Sequence, residues 1–133
     1  MERMEFTVQG SAAIPYRVTL EKGGTNLNAY CTCAAGSNGQ YCKHRFRILS
    51  GNPEGLVGPD PDGLRVAVDW LEGTDVESAL RDLIAAEDHV IAAKKVLTQA
   101  KDRRAMDVAE QSFETSKIEL AKARKLLAQA MLK

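Results

Sequence analysis

From Thr74 to Lys133 the chain contains neither glycine nor proline. The two residue types that interrupt helices are thus missing from almost half of it, which leaves that half free to be helical. A pattern runs through it. Val76, Leu83, Val90 and Leu97 recur every seven residues, and Ala79, Ala86, Ala93 and Ala100 follow each by three. Further on, Met106, Phe113, Leu120 and Leu127 recur in the same way, followed by Ala109, Ser116, Ala123 and Ala130. Each half is a heptad seam with one large and one small core residue per repeat.

The two seams do not join. Leu97 and Met106 are out of step by half a turn at about 100° per residue, so one straight helix would carry its seams on opposite faces. A bend near Arg103 brings them together. Val76 then faces Ala130, Ala79 faces Leu127, Leu83 faces Ala123 and Ala86 faces Leu120. The series continues through Val90 with Ser116, Ala93 with Phe113, Leu97 with Ala109, and Ala100 with Met106. Every layer pairs a large residue with a small one, which lets two helices approach closely. Asp75, Glu77 and Asp82 at one helix start fall beside Lys122, Arg124 and Lys125 at the other helix end, as helix dipoles favour. The pattern predicts an antiparallel helical hairpin over about 75–101 and 105–132. Its turn lacks glycine, and a continuous helix in a domain-swapped dimer satisfies the same seams.

Thr74-Asp-Val-Glu77 matches a capping box at the hairpin's start. Before it, Leu64, Val68 and Leu71 predict a short helix with Asp62 as N-cap and Gly73 as its stop; Leu64, Val66, Val68 and Trp70 also fit a strand, and the helix is preferred. Residues 51–63 hold four glycines and three prolines and read as a linker. On the N-terminal side, Phe6 and Val8 suggest a short strand. Ile14, Tyr16, Val18 and Leu20 alternate, Gly23-Gly24 supplies turn chemistry, and Leu27, Ala29 and Cys31 alternate again. The expectation is a β-hairpin of 14–20 and 25–31, a loop over 34–40, and a short helix over 42–49. The organisation is then residues 1–50 as one module, 51–63 as linker and 64–133 as helical region, an α+β protein.

The N-terminal module has too few large apolar residues to stay folded without a staple. It holds all three cysteines, as Cys31-x-Cys33 and Cys42, with His44 one residue beyond the last. An odd count at such short spacing does not suit a secreted disulfide scaffold, so the thiols are expected reduced and the protein cytoplasmic. Zinc takes four Cys or His donors in a tetrahedron. Two thiols at a strand end and a Cys and His at a helix start can supply them, and no cysteine is left over. The expected cofactor is a structural Zn²⁺ held by Cys31, Cys33, Cys42 and His44.

Tyr30-Cys-Thr-Cys-Ala-Ala-Gly, then Gly39-Gln-Tyr-Cys-Lys-His-Arg, then Phe46 and Ile48-Leu49, resembles the SWIM-type zinc finger. That family has Cys-x-Cys, a variable gap and Cys-x-His, in a β-hairpin followed by a helix. Position by position, its ligands fall on the same four residues. The resemblance spans roughly 14–50 and implies DNA binding or protein interaction. It says nothing about the long hairpin.

Charge sharpens the first option. The chain has 18 cationic and 18 anionic side chains, yet no Asp or Glu lies between Glu21 and Glu54. Arg17, Lys22, Lys43, Arg45 and Arg47 are the candidate nucleic-acid contacts. The competing role for the cations near the ligands is to offset the net negative charge of three thiolates around Zn²⁺. Tyr30 and Tyr41 could stack on bases, but are expected to pack against the metal core. His89, off the seam, reads as solvated, and Trp70 as a core anchor. Leu80, Ile84 and Ile91, extended by Ile118 and Leu126, form a second apolar stripe. It is expected to be covered by the zinc module and the 64–72 segment, and otherwise to be a partner or dimer surface. Four protein ligands leave no open metal position, and no catalytic constellation is evident, so no enzyme activity is expected. The function expected is a non-catalytic accessory or adaptor protein binding DNA or other nucleic acid. The alternative is a protein-interaction or dimerisation module acting through the hairpin. Neither a membrane nor a small-molecule substrate is expected as partner.

Overall fold

The computed structural model describes residues 2–58 and 61–132, apart from the side chain of Pro61. Three strands come first: β1 (Glu2–Val8), β2 (Tyr16–Gly23) and β3 (Asn26–Cys31), forming one antiparallel sheet in the order β1-β2-β3. Helices follow: α1 (Ala34–Ser37), α2 (Lys43–Leu49), α3 (Pro61–Trp70), α4 (Asp75–Gln99) and α5 (Arg103–Ala130). The architecture is α+β, with a long antiparallel helical hairpin.

The predicted β-hairpin forms, closed at Gly24-Thr25 by a turn in which Gly24 takes φ 62°. Only glycine adopts that left-handed conformation without strain. The alternation puts Val18, Leu20, Leu27, Ala29 and Cys31 on the buried face. β1 adds Phe6 opposite Val18 and Met4 opposite Leu20. Ile14 departs from expectation: it is 79% exposed in the β1–β2 connection. Pro15, which has no N–H to give a ladder, stands between it and the strand.

The linker is tied to the sheet. Gln9 N–H donates to Gly55 O at 2.8 Å and Val57 N–H to Thr7 O at 2.9 Å, so 55–57 lie along β1. Linker residues Pro59 and Asp60 lie outside the described residues. The short helix predicted from Leu64 begins earlier, at Pro61, a residue suited to a first helical turn. Asp62 therefore sits inside that turn, paired with Arg65, rather than capping it. Ala67, Trp70 and Leu71 point inward, as a helix and not a strand requires, and Trp70 is the expected core anchor.

α4 and α5 pack side by side along the predicted seam. Of the sixteen seam positions only Met106, at the tip, is exposed. Thr74 Oγ1 accepts from Glu77 N–H at 3.3 Å, and Glu77 reaches back to Gly73 N–H. The turn needs no glycine because Ala100 and Asp102 both adopt extended backbone. Asp102 also caps α5, accepting from Ala105 N–H at 2.8 Å. His89 is exposed, but it meets Glu119 across the helix pair at 3.2 Å.

The sheet, α2, α3 and the base of the hairpin share one continuous set of buried residues. Ala29 N–H donates to Met131 O at 2.9 Å, locking the end of α5 to β3. The second apolar stripe is covered only at Leu80. Ile84, Ile91, Ile118 and Leu126 remain exposed, because the N-terminal module reaches only the base of the hairpin.

Candidate metal centre

Backbone order brings the four donors together. β3 ends at Cys31. Cys33 then starts α1, its sulfur accepting from Gly36 N–H at 3.3 Å in the place an N-cap oxygen normally takes. This short helix lies in the stretch expected to be loop. Gly36 is needed there by proximity: a Cβ would stand 2.6 Å from Cys31 O and 2.8 Å from Cys31 Cβ. Cys42 precedes α2, and His44 lies in its first turn.

Cys33 Sγ lies 3.3 Å from Cys42 Sγ. His44 Nδ1 lies 3.5 Å from Cys42 Sγ and 3.8 Å from Cys31 Sγ. All four donor atoms fall within 4.8 Å of one another, and all four residues are buried. A tetrahedral zinc ion with ordinary bond lengths would set S···S near ~3.8 Å and S···N near ~3.6 Å. The cluster is close to that size. His44 turns Nδ1 towards the sulfurs, so Nδ1 would be the atom offered to a metal. Nε2 has no hydrogen-bond partner among the described residues. The ring is held instead by Tyr16, with centroids 4.9 Å apart.

Protonation points the same way. The hydrogen bond with Cys31 lowers the Cys42 thiol to about 4, while that bond and burial raise Cys31. Buried thiols this close cannot all ionise without a cation among them. A divalent ion resolves that conflict, and the donor set suits one that prefers sulfur and imidazole.

Arg45 overturns one expectation. It is 0% exposed and so presents nothing to a phosphate. Its guanidinium donates to Ala29 O at 3.1 Å and to Gln40 O. Ala29 lies on the strand that delivers Cys31, and Gln40 on the loop that delivers Cys42. Arg45 thus braces the two ligand-bearing segments and places a positive charge beside them. Nothing in the sequence set it apart from Lys43, which also follows a ligand by one residue and is exposed.

The other basic residues scatter. Arg17 and Lys43 are exposed. Arg17 exchanges hydrogen bonds with Thr32, between the first two ligands, and Lys43 sits between the other two. Arg47 is half-buried and meets Glu54 at 3.8 Å. Lys22 stands five residues beyond Arg17 on β2, about 17 Å away along the strand. Arg124 was not singled out for the site: α5 brings its guanidinium over the Tyr41 ring, 4.9 Å from the centroid. Tyr41 packs against the buried core and Phe46, as expected, and Arg124 on its ring was not foreseen. Tyr30 points to the outer face of the sheet and is 41% exposed.

Neither characterised proteins nor solved structures gave a significant match to the chain. The SWIM zinc finger family model matches residues 16–49, the stretch that contains β2, β3, α1, α2 and all four donors. Over this stretch the chain is similar to the SWIM zinc finger family.

Proposed function

We propose that the finger holds Zn²⁺ as a structural ion and contacts DNA or other nucleic acid through Arg17, Lys43 and Arg47, without catalysis. The observation that carries the reading is the exposure of Arg17, whose backbone is bonded to Thr32 between two of the ligands, and of Lys43, which lies between the other two. A backbone fixed by the metal would hold both cations in place, as phosphate contacts that set orientation require. Arg124, over Tyr41, adds a cation from the helical region. Four protein donors close the metal's coordination and leave no position for a reacting water, which supports a binding role. Among the described residues no helix is long and apolar enough to cross a membrane.

Anisotropy titration of a labelled DNA duplex and an RNA strand tests this. Two to three phosphate contacts would weaken binding about 10- to 40-fold between 50 and 200 mM salt. Arg17→Glu with Lys43→Glu should remove most of the affinity while metal content stays the same. Absence of binding at the lower salt, or binding indifferent to salt, defeats the proposal.

A further inference from the structure

A metal-binding histidine ordinarily fixes its ring by donating the other N–H to a carboxylate, a carbonyl or water. In His44 that second nitrogen, Nε2, is buried and meets no hydrogen-bond partner among the described residues. Packing therefore has to set the orientation of the ring. The ring that packs on it belongs to Tyr16, the first residue of β2.

Tyr16 is held in turn by the β1–β2 connection. A Cβ on Gly10 would stand 2.5 Å from Tyr16 Cε2, 2.9 Å from Tyr16 Cδ2 and 3.2 Å from His44 Nε2. The first two separations are shorter than real Cβ atoms show. Gly10 does not take the left-handed conformation, so the backbone does not call for glycine here. The space does. The connection is also tied in place. Gln9 Nε2 donates to Ala12 O at 2.9 Å and to Gly10 O at 3.3 Å, curling the chain around Gly10. Gln9 N–H donates to Gly55 O at 2.8 Å, and a Cβ on Gly55 would stand 3.1 Å from Gln9 O. The linker thus backs the connection, the connection backs Tyr16, and Tyr16 backs the imidazole. Gln9, Gly10 and Gly55 all lie outside residues 16–49, the stretch that supplies the donors.

We infer that Gly10 is a positioning residue of the metal centre: by carrying no side chain it lets the Tyr16 ring lie on the His44 imidazole, and together they wall the Nε2 side of that ligand from water. The wall governs how fast the ion is lost, because a ligand that can turn or be reached by water gives up its metal sooner. The inference rests on the reading that the four donors hold Zn²⁺.

Zinc release from the full loaded chain into excess EDTA is followed by stopped flow for the parent, Gly10→Ala, Tyr16→Ala and the double variant. Gly10→Ala should release zinc about tenfold faster at unchanged stoichiometry, because the ring has to leave the imidazole. Tyr16→Ala should do the same. In the Tyr16→Ala background, Gly10→Ala should change the rate by less than about twofold, since no ring is left to displace. A glycine that mattered only to the sheet would give two effects that multiply. If Gly10→Ala alone does not fold, adding Tyr16→Ala should restore the loaded chain by removing the clash. A parent chain without stoichiometric zinc overturns the metal reading, and the inference with it. With a loaded parent, the inference alone is overturned by a parent-like rate in either single variant, by effects that multiply in the double variant, or by a double variant that does not regain the fold.

Discussion

The two halves of this molecule hold their shape by different means. In the hairpin, size is the specification: each layer pairs a large apolar residue with a small one, and the register follows from a seven-residue period. In the finger, chemistry is the specification. Four donors and one buried guanidinium join the end of β3, the loop that follows it and the start of α2, beyond what the sheet's apolar face holds. The first half should tolerate changes of chemistry that keep volume, and the second should not.

The largest effect expected is that of Cys42→Ala. Removing a zinc ligand forfeits much of a binding free energy of about 10 kcal/mol, which here is folding free energy. Metal content should fall to zero and 1–50 should lose structure, while α4 and α5 stay helical. Metal analysis with circular dichroism decides it: one unchanged cooperative melt would show that the two halves do not differ as argued.

Next is Arg45→Met, which keeps the stem and removes the head. It leaves Ala29 O buried without that donor and removes the part-buried bond to Gln40 O. One buried and one part-buried charge-assisted hydrogen bond suggest a loss of about 2–4 kcal/mol. The loss should appear in both urea unfolding and zinc affinity, because the brace joins both ligand-bearing segments. A variant weakened in stability alone would restrict Arg45 to packing.

Leu83→Ala probes the other half. Leu83 is fully buried between the helices, and its truncation should cost about 3 kcal/mol with zinc stoichiometry unchanged. Loss of metal in this variant would mean that the finger depends on the hairpin's packing.

The same contrast explains what the sequence disclosed. The hairpin was legible almost to the residue, since a heptad period states which positions face inward and the phase jump after Leu97 states where the chain turns. The ligands were legible because Cys and His at that spacing have few other uses. Local rules also failed. β1 pairs with the next strand, β2, across the 9–15 connection, but a two-residue alternation at Phe6 and Val8 does not name its partner. α1 is capped by a sulfur, whereas sequence rules look for oxygen. Arg45 looked like its basic neighbours, and its burial depends on two carbonyls that only the folded chain brings near. Cover over Ile84 and Ile91 was expected from their apolarity, but the reach of the finger is a matter of dimensions.

A smaller effect concerns pH. In the metal-free cluster Cys31 holds its proton, because its pKa is raised, while Cys42 is lowered to about 4. Zinc has to displace the Cys31 proton, so affinity should rise with pH, by at least about tenfold per unit through the neutral range, or ~1.4 kcal/mol. Competition with a zinc-sensing dye at pH 6, 7 and 8 reads the slope. A slope of zero would mean that no thiol deprotonates on binding.

The smallest effect tests the rule of size directly. Ser116 is buried in the seam, like Arg45 in the finger, yet its hydroxyl is satisfied within its own helix, donating to Phe113 O at 2.7 Å. Among the described residues its hydroxyl makes no hydrogen bond across the helix pair. Ser116→Ala should therefore shift stability by no more than about 0.5 kcal/mol, with better helix propensity offsetting the lost bond. Ser116→Leu keeps an apolar character suited to a core but puts two large residues in the layer with Val90, and should cost about 1–3 kcal/mol. Urea melts of the pair separate the two causes. If the alanine variant loses as much as the leucine variant, the hydroxyl matters after all and the hairpin is specified by chemistry as well.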